Sequence, residues 1–383
     1  MKFSVEQAAL VNVLSLCCSI ADRKHTMPIL ANVKLLAEDN KLKISSTDLE
    51  ISLYAEIQAE VIKPGSVAVP AKVFFEIVRL LDEERVEFNL DESRLVVSCG
   101  ESNYKIVITS ALEFPSLTGV EIKNPVLVDS DKLYEMFNKT LFSICSDESR
   151  YNINGLFIET LENNIGQSKS GIRLVSTDGH RISIIERPAD GFSLKKGILV
   201  PKKGISELIK FLANSESNSA QVEVVDGYFT IKSGEIVLGV RLSDGVFPNY
   251  KQVLPKNKTT TITLACEDFI SAVKKVSIVT TEMSKSIVFK LKSGVLELFA
   301  SSQENGEAKA KLNNITQSGE DVLTSFSARY LLELLSIFNE KDEEVILNLD
   351  GGEGPCSFSF KSDENYNCII MPMRISENIK QAA

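Results

Sequence analysis

Three stretches of one chain repeat a single helix face: VPAKVFFEIVRLL at 69–81, VPKKGISELIKFL at 200–212 and FSARYLLELLSIF at 326–338. With Pro70 set on Pro201 (offset 131) and Glu207 on Glu333 (offset 126), five apolar positions coincide without a gap. They are Phe74/Ile205/Leu331, Ile77/Leu208/Leu334, Val78/Ile209/Leu335, Leu80/Phe211/Ile337 and Leu81/Leu212/Phe338. The spacing i, i+3, i+4, i+7 is that of one amphipathic face. A unit that recurs three times has to bury that face three times, which constrains the fold before any motif is considered. Two polar positions recur as well, Glu76/Glu207/Glu333 in mid-helix and Lys72/Lys203/Arg329 near each helix start. A cation there opposes the helix dipole, so its recurrence needs another reason, of which a shared external anion is one.

The first half of each unit repeats more loosely. Helix candidates at 5–20, 131–144 and 267–280 lead to alternating strands at 29–35, 155–158 and 287–291. A second strand then ends in Thr47-Asp48 in the first unit and Thr177-Asp178 in the second, 130 apart, where the third has Ala300-Ser301. Short β-rich runs such as VEFNL, RLVVS and YKIVI follow each second helix. Each unit reads as two helices and about eight strands, an α+β arrangement with helices on one face of antiparallel sheet. The turn-rich SLTGVEIKNP and LPKNK divide the chain into 1–122, 123–254 and 255–383.

STDGHRISI, 176–184, gathers a hydroxyl, a carboxylate, an imidazole and a guanidinium. The apolar runs on either side read as strand, tight turn, strand, with Gly179 supplying a permissive backbone. Two readings stay open at this point: a hairpin tip, or an acid/base pair of Asp178 and His180. The acidic run DEERVEFNLDE at 82–92 likewise reads as a solvated turn or as a metal site.

Composition narrows the classes. No apolar run approaches the ~18 residues of a spanning helix, and MKFSVEQAAL lacks the layout of a signal peptide. A cytoplasmic protein without membrane contact is expected. Seven cysteines without a CxxC pair and two histidines fit neither a disulfide framework nor a zinc site. No GxGxxG, P-loop or HExxH is present, so neither cofactor nor catalytic chemistry is expected. A net charge of −10 argues against a conventional nucleic-acid binder unless positive charge is segregated. The six helix candidates sum to +2, which leaves −12 on the rest of the chain.

The runs MKFSVEQ, PILANVKL, STDLEI, VPAKVFFEIV, NGLFIE, STDGHRISI, VPKKGISEL, FPNYKQVLP and MPMRI, in that order from Met1 to Ile375, resemble the bacterial sliding clamp family, the beta subunit of DNA polymerase III. The resemblance implies three similar domains and a head-to-tail homodimer closing into a six-domain ring around duplex DNA. It implies partners that bind through short peptides: the replicative polymerase, a clamp loader and repair factors. Their groove would be built by Ile153, Thr177, Gly179, His180, Arg181, Ile182, Pro248, Val253, Tyr330, Met371, Pro372, Met373 and Arg374, with Arg and His at the rim and Met and Pro as an adaptable wall. DNA would be met by Lys24, Lys72, Tyr151, Lys202, Lys203 and, at the recurring cation position, Arg329. Gln252 and Asp147 stand where the family more often has a cation and an uncharged residue. The dimer would pair Tyr104 and Ile106 with Ile278 and Val279 of the second copy. Ser376–Ala383 continues past the family pattern, and its composition predicts an unpacked tail beside the groove.

Overall fold

The computed structural model describes residues 1–21, 27–161, 170–255, 257–281, 285–338 and 341–375. Each repeat opens with a strand that runs directly into a helix. Lys2–Glu6 leads into α1 (Gln7–Ile20) and Gly65–Pro70 into α2 (Ala71–Arg79). Val126–Asp129 leads into α3 (Ser130–Leu141) and Ile198–Pro201 into α4 (Lys202–Ala213). Thr260–Ala265 leads into α5 (Cys266–Ser277) and Val322–Ser327 into α6 (Ala328–Leu335). The repeats carry eight, eight and nine strands among the described residues, close to the eight expected.

The helix ends differ from the periodic reading where backbone hydrogen bonds go elsewhere. Val5 and Glu6 pair with both Ile51–Lys63 and Arg85–Asp91 or with the latter alone, so the sheet claims them before α1 begins. At the end of α3, Ser143 and Ile144 donate to the carbonyls of Thr140 and Leu141, a tightened turn that stops the helix. The segment at 28–31 is a 3-10 turn and not the start of the strand, because Pro28 fixes the backbone there; the strand is Asn32–Glu38. The repeated face is buried for the most part as its spacing requires, with Leu80 of α2 the exception at 68% exposed. Phe74, Ile205 and Leu331 are each fully enclosed, a burial worth about 1.5–3 kcal/mol per side chain.

The chain forms two compact units, Met1–Phe137 with Gly191–Asp244 and Asn138–Asp190 with Gly245–Ala383. The units do not follow the sequence repeats, and the pairing of strands says why. In the first, Ile51–Lys63 of repeat one pairs antiparallel with Ile236–Arg241 of repeat two, Leu53 opposite Leu238, within one 12-stranded sheet. In the second, Arg181–Pro188 of repeat two pairs antiparallel with Asp363–Ile370 of repeat three, Ile182 opposite Ile369. That sheet continues through Cys356–Phe360, Glu344–Leu349 and Thr260–Ala265, and a separate four-stranded sheet includes Ser286–Lys292. Each register described is antiparallel, which lets the sheets keep one face for helices and one for solvent.

Candidate partner-binding site

STDGHRISI is a hairpin tip. Gly171–Thr177 pairs with Arg181–Pro188, Thr177 opposite Ile182, and Asp178-Gly179-His180 make the turn. Gly179 holds φ +94°, so the backbone asks for glycine, and a Cβ there would come 2.8 Å from the tip of the Arg150 side chain, which would have to shift. Arg150 braces the turn from outside, donating to the Asp178 carbonyl at 2.8 Å. Thr177 Oγ1 accepts from the Gly179 amide (3.0 Å) and donates to the Arg181 carbonyl (2.6 Å). Asp178 Oδ1 accepts from the His180 and Arg181 amides (2.9 and 3.2 Å), and its Oδ2 accepts from Arg181 Nε at 3.0 Å. The carboxylate is thus committed to the turn, while the exposed His180 ring lies over Tyr330, centroids 6.4 Å apart.

Arg181 is not the rim cation that its position suggested. It is 4% exposed, donates to the Phe142 carbonyl at 2.6 Å and pairs with Glu333 at 2.5 Å. Its guanidinium carbon stands 4.3 Å from the Tyr330 ring centre and 4.8 Å from that of Phe142. A cation held by two carboxylates and two aromatic faces is a brace, fixing the hairpin tip to α6. Sequence reasoning missed Phe142 altogether and noted Glu333 only as a recurring acid.

The remaining groove candidates divide by exposure. Ile153, Thr177 and Ile182 are buried. Ile182 clusters with Val175, Ile184, Tyr250 and Ile369, against which Phe157, Phe247 and Leu254 pack. Pro248, Val253, Met371, Met373 and Arg374 are exposed and Pro372 is half-buried. Backbone bonds lay the Met371–Met373 segment in place: Met371 donates to the His180 carbonyl (2.9 Å) and Met373 to that of Ser325 (2.8 Å). Met371 and Met373 stay 42% and 40% exposed, and Val253 48%. Water-facing thioethers are apolar and easily re-packed, and their exposure is uncommon for so polarizable a side chain.

Known proteins match this chain over 98% of its length. Models of the DNA polymerase III beta subunit match its N-terminal domain to 1–118, its central domain to 127–249 and its C-terminal domain to 251–374. A curated beta sliding clamp of Caulobacter vibrioides is 33% identical over 379 residues, covering 98% of this chain and all of the relative. The chain belongs to the beta sliding clamp family. Among solved structures, a Caulobacter crescentus beta sliding clamp with PEG bound to a beta-motif tethering region superposes with a TM-score of 0.90 at 29% identity, covering 98% of this chain and 99% of that one. A Bartonella birtlesii sliding clamp bound to griselimycin does so with 0.90 at 25%, covering 98% and 100%. The clamp is a processivity factor of DNA polymerase III, in a family of three helix-on-sheet domains.

The clamp places Lys72, Lys203 and Arg329 as the second residues of α2, α4 and α6, all three exposed. Lys203 also pairs at 2.5 Å with the buried Asp48 of the first Thr-Asp corner, and Arg329 lies 3.8 Å from Glu333. Lys202 starts α4 and is half-buried; Tyr151 is exposed; Lys24 and the tail Ser376–Ala383 lie outside the described residues. Of the dimer candidates, Tyr104 and Ile106 sit on Ser102–Val107, the edge strand of the first unit's sheet. Ile106 is only 5% exposed and packs inward, so of the two only Tyr104 offers a side chain at that edge. Ile278 is 76% exposed at the end of α5, and Val279 is half-buried. Among the described residues no group of three or more His, Cys, Asp or Glu could hold a metal ion, and no helix is long and apolar enough to cross a membrane.

Proposed function

We propose that two copies of this clamp, each made of segments 1–122, 123–254 and 255–383, close head to tail into a cytoplasmic ring around duplex DNA. What carries this proposal is a difference among equivalent helices. On α4, Phe211 is 3% exposed and Glu207 is buried, because α1 packs there and Ser19 Oγ donates to Glu207. On α2 the equivalent Leu80 is 68% exposed and Glu76 is exposed, with Val73 beside them. A face that the chain covers in one repeat and leaves bare in another is a face awaiting a second copy. The exposed Ile278 end of α5 supplies an apolar counterpart, in a heterologous contact that closes after two copies.

DNA is held by topology in this reading. The six helices sum to +3 on a chain of −10, enough for weak and mobile phosphate contact through Lys72, Lys202, Lys203, Arg329 and Tyr151. The Met371–Met373 wall with Val253 and Pro248 takes short apolar peptides from the replicative polymerase, the clamp loader and repair factors, a reading that the PEG found at the beta-motif tethering region of the Caulobacter crescentus clamp supports. The test is retention. Clamp placed on closed circular DNA by a clamp loader should survive gel filtration in high salt and leave once the circle is cut. Loss from intact circles at the same rate would sink the ring.

A further inference from the structure

The wall residues Pro248 and Val253 sit on a segment with no strand of its own, only the 3-10 turn Tyr250–Gln252. Backbone bonds run within it, Tyr250 to the Pro248 carbonyl and Val253 to that of Tyr250. Its attachment to the sheet is made by side chains. Phe247 stacks on Phe157, centroids 4.9 Å apart and planes 7° off parallel. Tyr250 is buried, and its hydroxyl donates to Glu159 Oε1 at 2.5 Å while accepting from Arg173 Nη1 at 3.0 Å. Arg173 in turn holds Glu159 (3.1 Å) and, through Nε, Glu186 (2.8 Å). Glu159, Arg173 and Glu186 lie directly opposite one another on three adjacent strands, Gly155–Leu161, Gly171–Thr177 and Arg181–Pro188. The phenol thus meets a polar row built into three hydrogen-bonded strands. Burial, then the bond to Glu159, raises its pKa far above the ordinary tyrosine value, which keeps it a donor.

We propose that Tyr250 is a positioning residue for the peptide groove: its hydroxyl, locked by Glu159 and Arg173, holds Pro248 and Val253 where a bound peptide meets them. The inference rests on the groove reading above. A peptide would touch the wall and never the phenol, so the hydroxyl acts through preorganisation. Removing it lets the segment sample other positions, and binding then has to order it.

Griselimycin, which the Bartonella birtlesii clamp binds, serves as probe on the full chain. Tyr250→Phe keeps the ring and loses only the hydroxyl; it is expected to bind about five- to tenfold more weakly, the worth of one buried hydrogen bond. The loss should appear in dissociation rather than association. Amide exchange should quicken across 246–254 and stay unchanged in strands Gly155–Leu161 and Gly171–Thr177. Glu159→Gln keeps an acceptor for the phenol and should recover most of the affinity, while Glu159→Ala should behave as Tyr250→Phe. Looser exchange with unchanged affinity would overturn the proposal. So would weaker binding matched by faster exchange through all three strands, since that is a general loss of fold. No binding by the parent chain would sink the groove reading itself.

Discussion

The chain builds the same corner twice and uses it differently. At 47–51, Thr47 Oγ1 accepts from the Leu49 amide (3.0 Å) and donates to the Ile51 carbonyl (2.8 Å), while Asp48 Oδ1 takes the Glu50 and Ile51 amides (3.0 and 2.7 Å). At 177–181, Thr177 and Asp178 make the same four bonds. The second carboxylate oxygen differs. Asp48 turns it to Lys203 of α4, whereas Asp178 turns it to Arg181 of its own hairpin, which goes on to Glu333 of α6. Backbone geometry follows from the Thr-Asp pair alone; the neighbour it recruits follows from the residue three places after the Asp, Ile51 in one corner and Arg181 in the other.

Breaking the second corner should cost most. Arg181→Ala strands Asp178 and Glu333 without their shared cation and is expected to destabilise the fold by about 3–5 kcal/mol, read from urea unfolding. A loss under about 1 kcal/mol would mean the guanidinium is not the brace. Next comes Lys203→Glu, which sets a carboxylate against buried Asp48 and should cost about 1–3 kcal/mol in the same assay. Lys72→Glu, at the equivalent helix position but exposed, should cost no more than about 0.5 kcal/mol. Equal losses at the two lysines would erase the distinction between a staple and a free surface cation. The smallest effect sharpens the comparison at the turn residue. Leu49 holds φ +76°, where Gly179 holds +94° in the other corner. Leu49→Gly should therefore change stability by less than about 1 kcal/mol, while Gly179→Ala loses about 1–2 kcal/mol by backbone strain.

Much of the fold was legible because it is local and periodic. Phe74, Ile205 and Leu331 repeat in sequence and are equally enclosed, and the cation before them falls on the second residue of each helix. The sheet that crosses from one repeat to the next was not legible, because pairing of Leu53 with Leu238 leaves no trace in either strand alone. The site was half legible. The resemblance named His180, Tyr330 and Met371, which do lie together, the imidazole over the Tyr330 ring and the Met371 amide on the His180 carbonyl; it could not show that Arg181 faces inward, since a guanidinium reads as solvent-seeking until its partners are known. Tyr250, Arg173 and Glu159 passed unnoticed for the same reason, each an ordinary residue of a strand or turn.

The strand pairing between repeats also has a consequence for limited proteolysis. Lys123 lies in the exposed connection between the first and second repeats. Trypsin cutting there severs the peptide but not the five paired positions between Ile51–Ala55 and Ile236–Val240, nor the packing of α1 on α4. The two fragments should elute together from a sizing column in buffer and separate only in denaturant, as a protein reassembled from pieces of its own chain.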